Sequence, residues 1–297
     1  MEPRKNLQRI KELYDQKVNI IKYLKSLENR GHNTTEDILI SYDFQAGSYI
    51  RGYRQKKDLV DEIGRRIADA IGRLGPFGSL LEAGIGDGVM LGAMAGQLPC
   101  RPERIYGFDL AWSRVKYSRQ FLAERGLRET VLFTGDLFCA PVKSNGVDIV
   151  FTCHAVEPNG GREEEALREL YRICNKYLVL VEPAYELADE AARSRMREHG
   201  YVTNLYAAAK RLGYRVLEYG LLGISVNPLN PSGIMIIEKN ENGEMADPLC
   251  CPLTKTGLIR RGEAYYSRES LLAYPILDGI PCLLPENAIV ATHFLDD

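Results

Sequence analysis

The chain has 297 residues, enough for one large domain with additions or for two domains. Hydrophobic residues at 45% and charged residues at 26% exclude a disordered chain, and a net charge of −2 with a pI near 6.2 gives no global basic field for gripping nucleic acid. No apolar run approaches membrane-spanning length, Met1 to Lys5 lead into charged residues rather than an apolar signal core, and seven scattered cysteines suit reduced thiols, so a cytoplasmic protein is expected.

Taken in order, Leu7, Ile10, Tyr14, Val18, Ile21 and Leu24 recur at three- and four-residue steps and predict one amphipathic helix over residues 5–28. Its other face carries Arg9, Lys11, Lys17, Lys22 and Lys25, which suits either solvent or a phosphate-bearing partner. Asn33 and Thr34 read as a cap, with Asp37 in the capping-box position, for a short second helix. Tyr42 to Tyr49 brings aromatics, a glycine and hydrogen-bonding groups without a clear period. Leu59, Ile63, Ile67, Ile71 and Leu74 then form a helical stripe that ends at Gly75-Pro76.

The next stretch, Leu80-Leu81-Glu82-Ala83-Gly84-Ile85-Gly86-Asp87-Gly88-Val89, reads as a buried strand breaking into glycines and opening a helix. Such a turn brings backbone close to a ligand, because a Cβ at Gly84 or Gly86 would hold that ligand away. Apolar runs at Arg104 to Leu110, Thr130 to Thr134, Val147 to Thr152 and Tyr177 to Glu182 alternate with helical patterns, clearest at Trp112 to Arg125 and Arg162 to Cys174. Alternation of this kind predicts a parallel sheet covered on both faces, with ligands at the carboxyl ends of the strands. Helices are expected at Ala188 to Glu198 and Val202 to Leu212. Two last strands, Tyr214 to Leu222 and Gly233 to Lys239, are joined by a loop containing Asn227 to Gly233, and a polar linker follows at Asn240 to Glu244.

The dinucleotide fingerprint would need its third glycine at position 89, which is Val89. The spacing Gly84-x-Gly86-x-Gly88 with Glu82 ahead of it instead resembles motif I of class I S-adenosylmethionine (SAM) methyltransferases. The resemblance implies an α/β fold with a seven-stranded Rossmann-like sheet, five parallel strands plus a closing pair, and SAM as cofactor. Glu82, Gly84, Ile85 and Gly86 would hold it at the first strand. Asp109, with Leu110 beside it, ends the second strand where a carboxylate can accept from both ribose hydroxyls, and Asp136 with Leu137 resembles the place where the family holds adenine. In this family the segment before the first strand often closes the pocket, so Tyr49 would touch the cofactor and Gln45 the substrate.

Methyl transfer from a sulfonium needs a positioned acceptor, exclusion of water and, for many acceptors, removal of a proton. After the fourth strand, His154 titrates near neutrality and suits a general base, while Glu157 suits orienting it or holding an amine. In many small-molecule methyltransferases resembling this one, a histidine here only packs beside the cofactor's methionine arm. The Asn/Asp-Pro-Pro-aromatic motif of adenine and glutamine methyltransferases is absent from Cys153-His154-Ala155-Val156. Asn159, with Gly160 and Gly161 offering backbone N–H groups, and Glu182 and Tyr185 after the fifth strand are expected on the substrate side.

Near the C-terminus, Asp247 to Leu253 and Tyr274-Pro275-Ile276-Leu277-Asp278-Gly279-Ile280-Pro281 resemble a second family. This is the small zinc-ribbon-like protein that activates tRNA and translation-factor methyltransferases, with its short bacterial relatives. Where that family places cysteines this chain has Thr254 and Ser267, so a small β-rich domain without metal is expected, packed through Leu271, Tyr274, Ile276, Ile280 and Leu283. Its expected role is to brace the catalytic domain or to dimerise it.

The expected organisation is thus a helical cap over 1–54, a SAM-binding domain over 55–240 and the β-rich domain over 241–297. The expected activity is methylation of a hydroxyl or amine on a small polar molecule such as a sugar or secondary metabolite, with no membrane or nucleic-acid partner. Two alternatives stand beside it: an RNA or protein methyltransferase, and a SAM-binding protein that transfers nothing.

Overall fold

The computed structural model describes residues 3–28, 30–241 and 247–296. The single helix expected over 5–28 is two, α1 (Leu7–Asp15) and α2 (Ile20–Leu27). Between them Lys17 takes a φ of +66°, which no right-handed helix contains, and the Asn19 side chain accepts from the Lys22 N–H to cap α2. Much of the expected basic face is paired, Arg9 with Glu12, Lys11 with Asp15 and Lys22 with Glu198. The capping box of Thr34 and Asp37 opens α3 (Thr35–Phe44). The aperiodic aromatic stretch is the end of α3 and the start of α4 (Ser48–Gln55), and α5 (Lys57–Gly72) follows.

Strands and helices then alternate: β1 (Ser79–Ala83), α6 (Val89–Met94), β2 (Arg104–Asp109), α7 (Trp112–Glu124), β3 (Val131–Thr134), β4 (Val147–Cys153), α8 (Glu163–Ile173) and β5 (Cys174–Pro183). After α9 (Glu190–His199) and α10 (Leu205–Arg211) come β6 (Arg215–Leu221) and β7 (Ser232–Glu238). The sheet order is β3-β2-β1-β4-β5-β7-β6. β7 inserts between β5 and β6 and runs antiparallel to both, so six strands point one way and one against them.

The two faces of this sheet fill separate cores because successive strand residues point to opposite sides. Leu81, Val150, Leu180 and Ile237 pack with α8 and α10 on one face, while Leu80, Ile149, Val179 and Ile236 pack with α5, α6 and α7 on the other. Chain direction reverses at β1, whose neighbours β2 and β4 lead away to opposite edges. That reversal opens a crevice beyond the carboxyl ends of β1, β2 and β4.

Of the expected linker, Asn242, Gly243 and Glu244 lie outside the described residues, while Glu241 N–H donates to the Asn175 carbonyl. Beyond it β8 (Ile259–Arg261), β9 (Ala264–Ser267) and β10 (Leu272–Leu277) form an antiparallel meander, and β11 (Ile280–Pro281) and β12 (Ile289–Val290) both pair with β10. Tyr274, Ile276, Ile280 and Leu283 are buried, but Leu271 is exposed because a φ of +57° turns it at the tip between strands. This unit covers the open edge of the large sheet, where Cys282 bridges Thr134 in parallel and the Leu283 N–H donates to Thr134 Oγ1 at 3.0 Å. Among the described residues no helix is long and apolar enough to cross a membrane, and no group of three His, Cys, Asp or Glu side chains is placed to hold a metal.

Candidate active site

A cavity of about 630 Å³ opens at the crevice, roofed by α3 and α4 and floored by the loops after β1 to β4. Gly84 and Gly86 hold φ of +73° and +55°. A Cβ on Gly84 would run into Ala155 of the opposite loop, and one on Gly86 would stand 2.8 Å from an Arg114 nitrogen. Glycine therefore serves close approach here. Four of the turn's N–H groups are spent at home: Gly84 and Ile85 donate to the Phe108 carbonyl, Gly86 to Asp109 and Gly88 to the Ile85 carbonyl. The expectation that these amides would meet the ligand is thus corrected. A turn that spends these four N–H groups on its own backbone and on Asp109 offers shape more than a phosphate cradle, which suits a nucleoside without phosphate.

Three buried or part-buried carboxylates follow at neighbouring strand ends. Glu82 accepts from the Leu91 N–H at 3.1 Å, and burial pushes its carboxyl well above the ordinary range. Asp109 accepts from Gly86 and Ala111 N–H, each at 2.9 Å. Burial raises it too, against the pull of the Arg114 guanidinium. Each Asp109 oxygen keeps a lone pair for a ribose hydroxyl. Asp136 accepts from the Phe138 N–H at 2.9 Å, which fixes the short loop bearing Leu137. Tyr49, Ile85, Leu110 and Leu137 line the same cavity.

Across from the glycine turn lies the loop after β4. His154 takes a φ of +54°, unusual for a residue with a Cβ. The loop is pinned by Glu182, whose carboxylate accepts the N–H groups of Ala155, Val156 and Glu157 at 3.0, 3.2 and 3.0 Å. So held, the His154 Nδ1 contacts Glu157, and Nε2 lies 2.8 Å from Ser232 Oγ on β7. Glu157 also accepts from the Asn230 amide at 3.2 Å and from the Tyr201 hydroxyl. Burial opposes charge on both members of the pair, but their mutual attraction wins. Glu157 is held below its ordinary 4.5, and His154 is raised above its ordinary 6.5 by Glu157, with Glu182 behind it.

Three residues expected on the substrate side do not line the cavity. Gln45 folds back on its own helix to donate to Ser41 Oγ, Glu182 is consumed by the loop it pins, and the Tyr185 hydroxyl accepts from Arg197 on α9. Asn159 does line it, but the backbone N–H groups of Asn159 and Gly160 donate to the Val156 and Gly200 carbonyls and are not open to a substrate. Arg114, Ser232 and Asn230 also line the cavity. For the last two, the loop over Asn227 to Gly233 was the sequence signal; for Arg114 there was none.

Residues 80–177 match a family model described as a methyltransferase domain. The chain is similar to UPF0434 proteins from Nitrobacter winogradskyi, 43% identical over 53 residues (17% of this chain, 80% of the relative), and Gluconacetobacter diazotrophicus, 52% identical over 42 residues (14% and 67%). Among solved structures it is similar to magnesium protoporphyrin IX methyltransferase from Synechocystis, with a TM-score of 0.49, 16% identity and coverage of 67% of this chain and 98% of that one. It is also similar to a SAM-dependent methyltransferase from Aquifex aeolicus, at 0.44, 19%, 57% and 87%. Residues 80–177 are thus a methyltransferase domain, and the chain also carries a segment of the UPF0434 family.

Proposed function

We propose that this enzyme methylates a hydroxyl group on a small polar molecule, a sugar or a secondary metabolite, with His154 as general base and Glu157 as the residue that orients it. SAM, when bound, supplies the electrophilic methyl. The observation that carries the proposal is the Glu157–His154–Ser232 line beside the glycine turn. Glu157 fixes the proton on Nδ1, which leaves Nε2 as the basic nitrogen, and Ser232 marks the direction from which a hydroxyl proton reaches it. An amine acceptor is less well served, because Glu157 already takes donors from His154, Asn230 and Tyr201 and has little capacity left for an ammonium. Asp109 and Asp136 would hold ribose and adenine, with Glu82 bracing the turn between them, and Tyr49 would close over the cofactor.

Two features favour a small acceptor over RNA or protein. Helices α3 and α4 roof the cavity, and the lysines and arginines of α1 and α2 are largely engaged in ion pairs instead of forming a basic track. The test is formation of S-adenosylhomocysteine from SAM across panels of polyols, phenols and amines, with the wild type and His154→Ala in parallel. Turnover confined to hydroxyl acceptors and lost in the variant supports the reading; equal turnover by both proteins overturns it.

A further inference from the structure

We propose that Arg114 receives the carboxylate of the cofactor's methionine tail, an assignment that rests on the SAM site described above. The tail brings a carboxylate, beside its own α-ammonium, into a cavity whose described lining already carries the carboxylates of Glu82, Asp87, Asp109, Asp136 and Glu157, so the ammonium has acids to face and the carboxylate needs a cation. Besides the His154 ring, the lining cations among the described residues are Lys56, which is exposed, and Arg114, which is 6% exposed. Arg114 is therefore the buried positive charge at hand.

Its geometry suits the task. Nε faces Asp87 Oδ1 at 3.4 Å, a long contact, and Asp87 is already served by the N–H groups of Tyr49 and Ile50 at the start of α4. The guanidinium lies 4.4 Å from the Tyr49 ring centre and 5.1 Å from that of Tyr42, so two aromatic faces hold it in place. Nη2 sits against the glycine turn, 2.8 Å from where a Gly86 side chain would begin. Nε turns to Asp87 and one guanidinium hydrogen bond goes to the Tyr49 hydroxyl, which leaves further Nη donors of the planar group for a carboxylate.

Calorimetry with two probes separates this role from plain support of the turn. S-adenosylhomocysteine carries the amino-acid tail, and 5′-methylthioadenosine has the same nucleoside thioether without it. Arg114→Met should weaken S-adenosylhomocysteine binding by about 10- to 100-fold, the worth of one strong charge-assisted contact, while methylthioadenosine binding stays within about twofold of wild type. Retained methylthioadenosine binding also shows that the variant is folded, and Arg114→Lys, which keeps the charge without the fork, should fall between. Equal losses for both probes, or no loss for either, would overturn the assignment. If wild type binds neither probe, the cofactor reading itself fails and takes this assignment with it.

Discussion

Glu82, Asp109 and Asp136 stand at the ends of three neighbouring strands, β1, β2 and β3, and each is fixed by a backbone N–H no more than 23 residues away in sequence. Across the cavity, His154 and Glu157 meet Ser232 and Asn230 from 73 to 78 residues downstream and hang on Glu182 from the next strand. One half of the cavity is thus written in local motifs and the other is assembled by the fold. The difference predicts how each half fails. Damage to the first should abolish cofactor binding, and damage to the second should spare binding while changing rate, pH profile or stability.

Asp109→Ala, the largest expected effect, should weaken SAM binding by roughly 100-fold or more in calorimetry, since two hydrogen bonds to an ionised group are lost. Retained affinity would break the contrast. His154→Ala should lower kcat by roughly 100-fold with SAM affinity nearly unchanged, the scale of a lost general base. A matched loss of affinity would instead make His154 a cofactor support. Glu182→Gln puts an amide where three N–H groups point and should lower unfolding free energy by about 2–4 kcal/mol, read by urea denaturation.

Glu157→Gln should act most subtly, through pH. In the wild type His154 titrates above 6.5, and only its neutral form accepts a proton, so activity rises as pH climbs through that raised value. Removing the Glu157 charge should move this acid limb to lower pH while reducing the plateau rate. The same linkage governs stability. The contribution from the raised His154 is fully present below 6.5 and fades as pH climbs through its folded value; that from the lowered Glu157 is present above 4.5 and fades as pH falls through its folded value. An unmoved acid limb in the variant would uncouple the pair.

The same contrast explains what could be read beforehand. Continuous apolar runs and glycine spacing are local signals, so β1 to β5, the turn and Asp109 were legible. Which strand-end acid faces the cavity was not, because Asp109 and Glu182 look alike in sequence and only the loop at Ala155 to Glu157 decides that Glu182 turns away from it. Gln45 sits where helical phase sets direction in a stretch that has no period to give one, and Tyr185 lies in a single 3-10 turn after β5. The break at Lys17 was hidden for the opposite reason, since a regular apolar spacing runs straight through it. Nothing in the sequence of α7 marked Arg114, whose burial depends on α3 and α4 folding over it.

The most direct test is calorimetric titration of the wild-type protein with S-adenosylhomocysteine. One saturable site per chain is expected. Absence of any saturable heat, with the protein folded by circular dichroism, would contradict the claim that these strand ends form a SAM site.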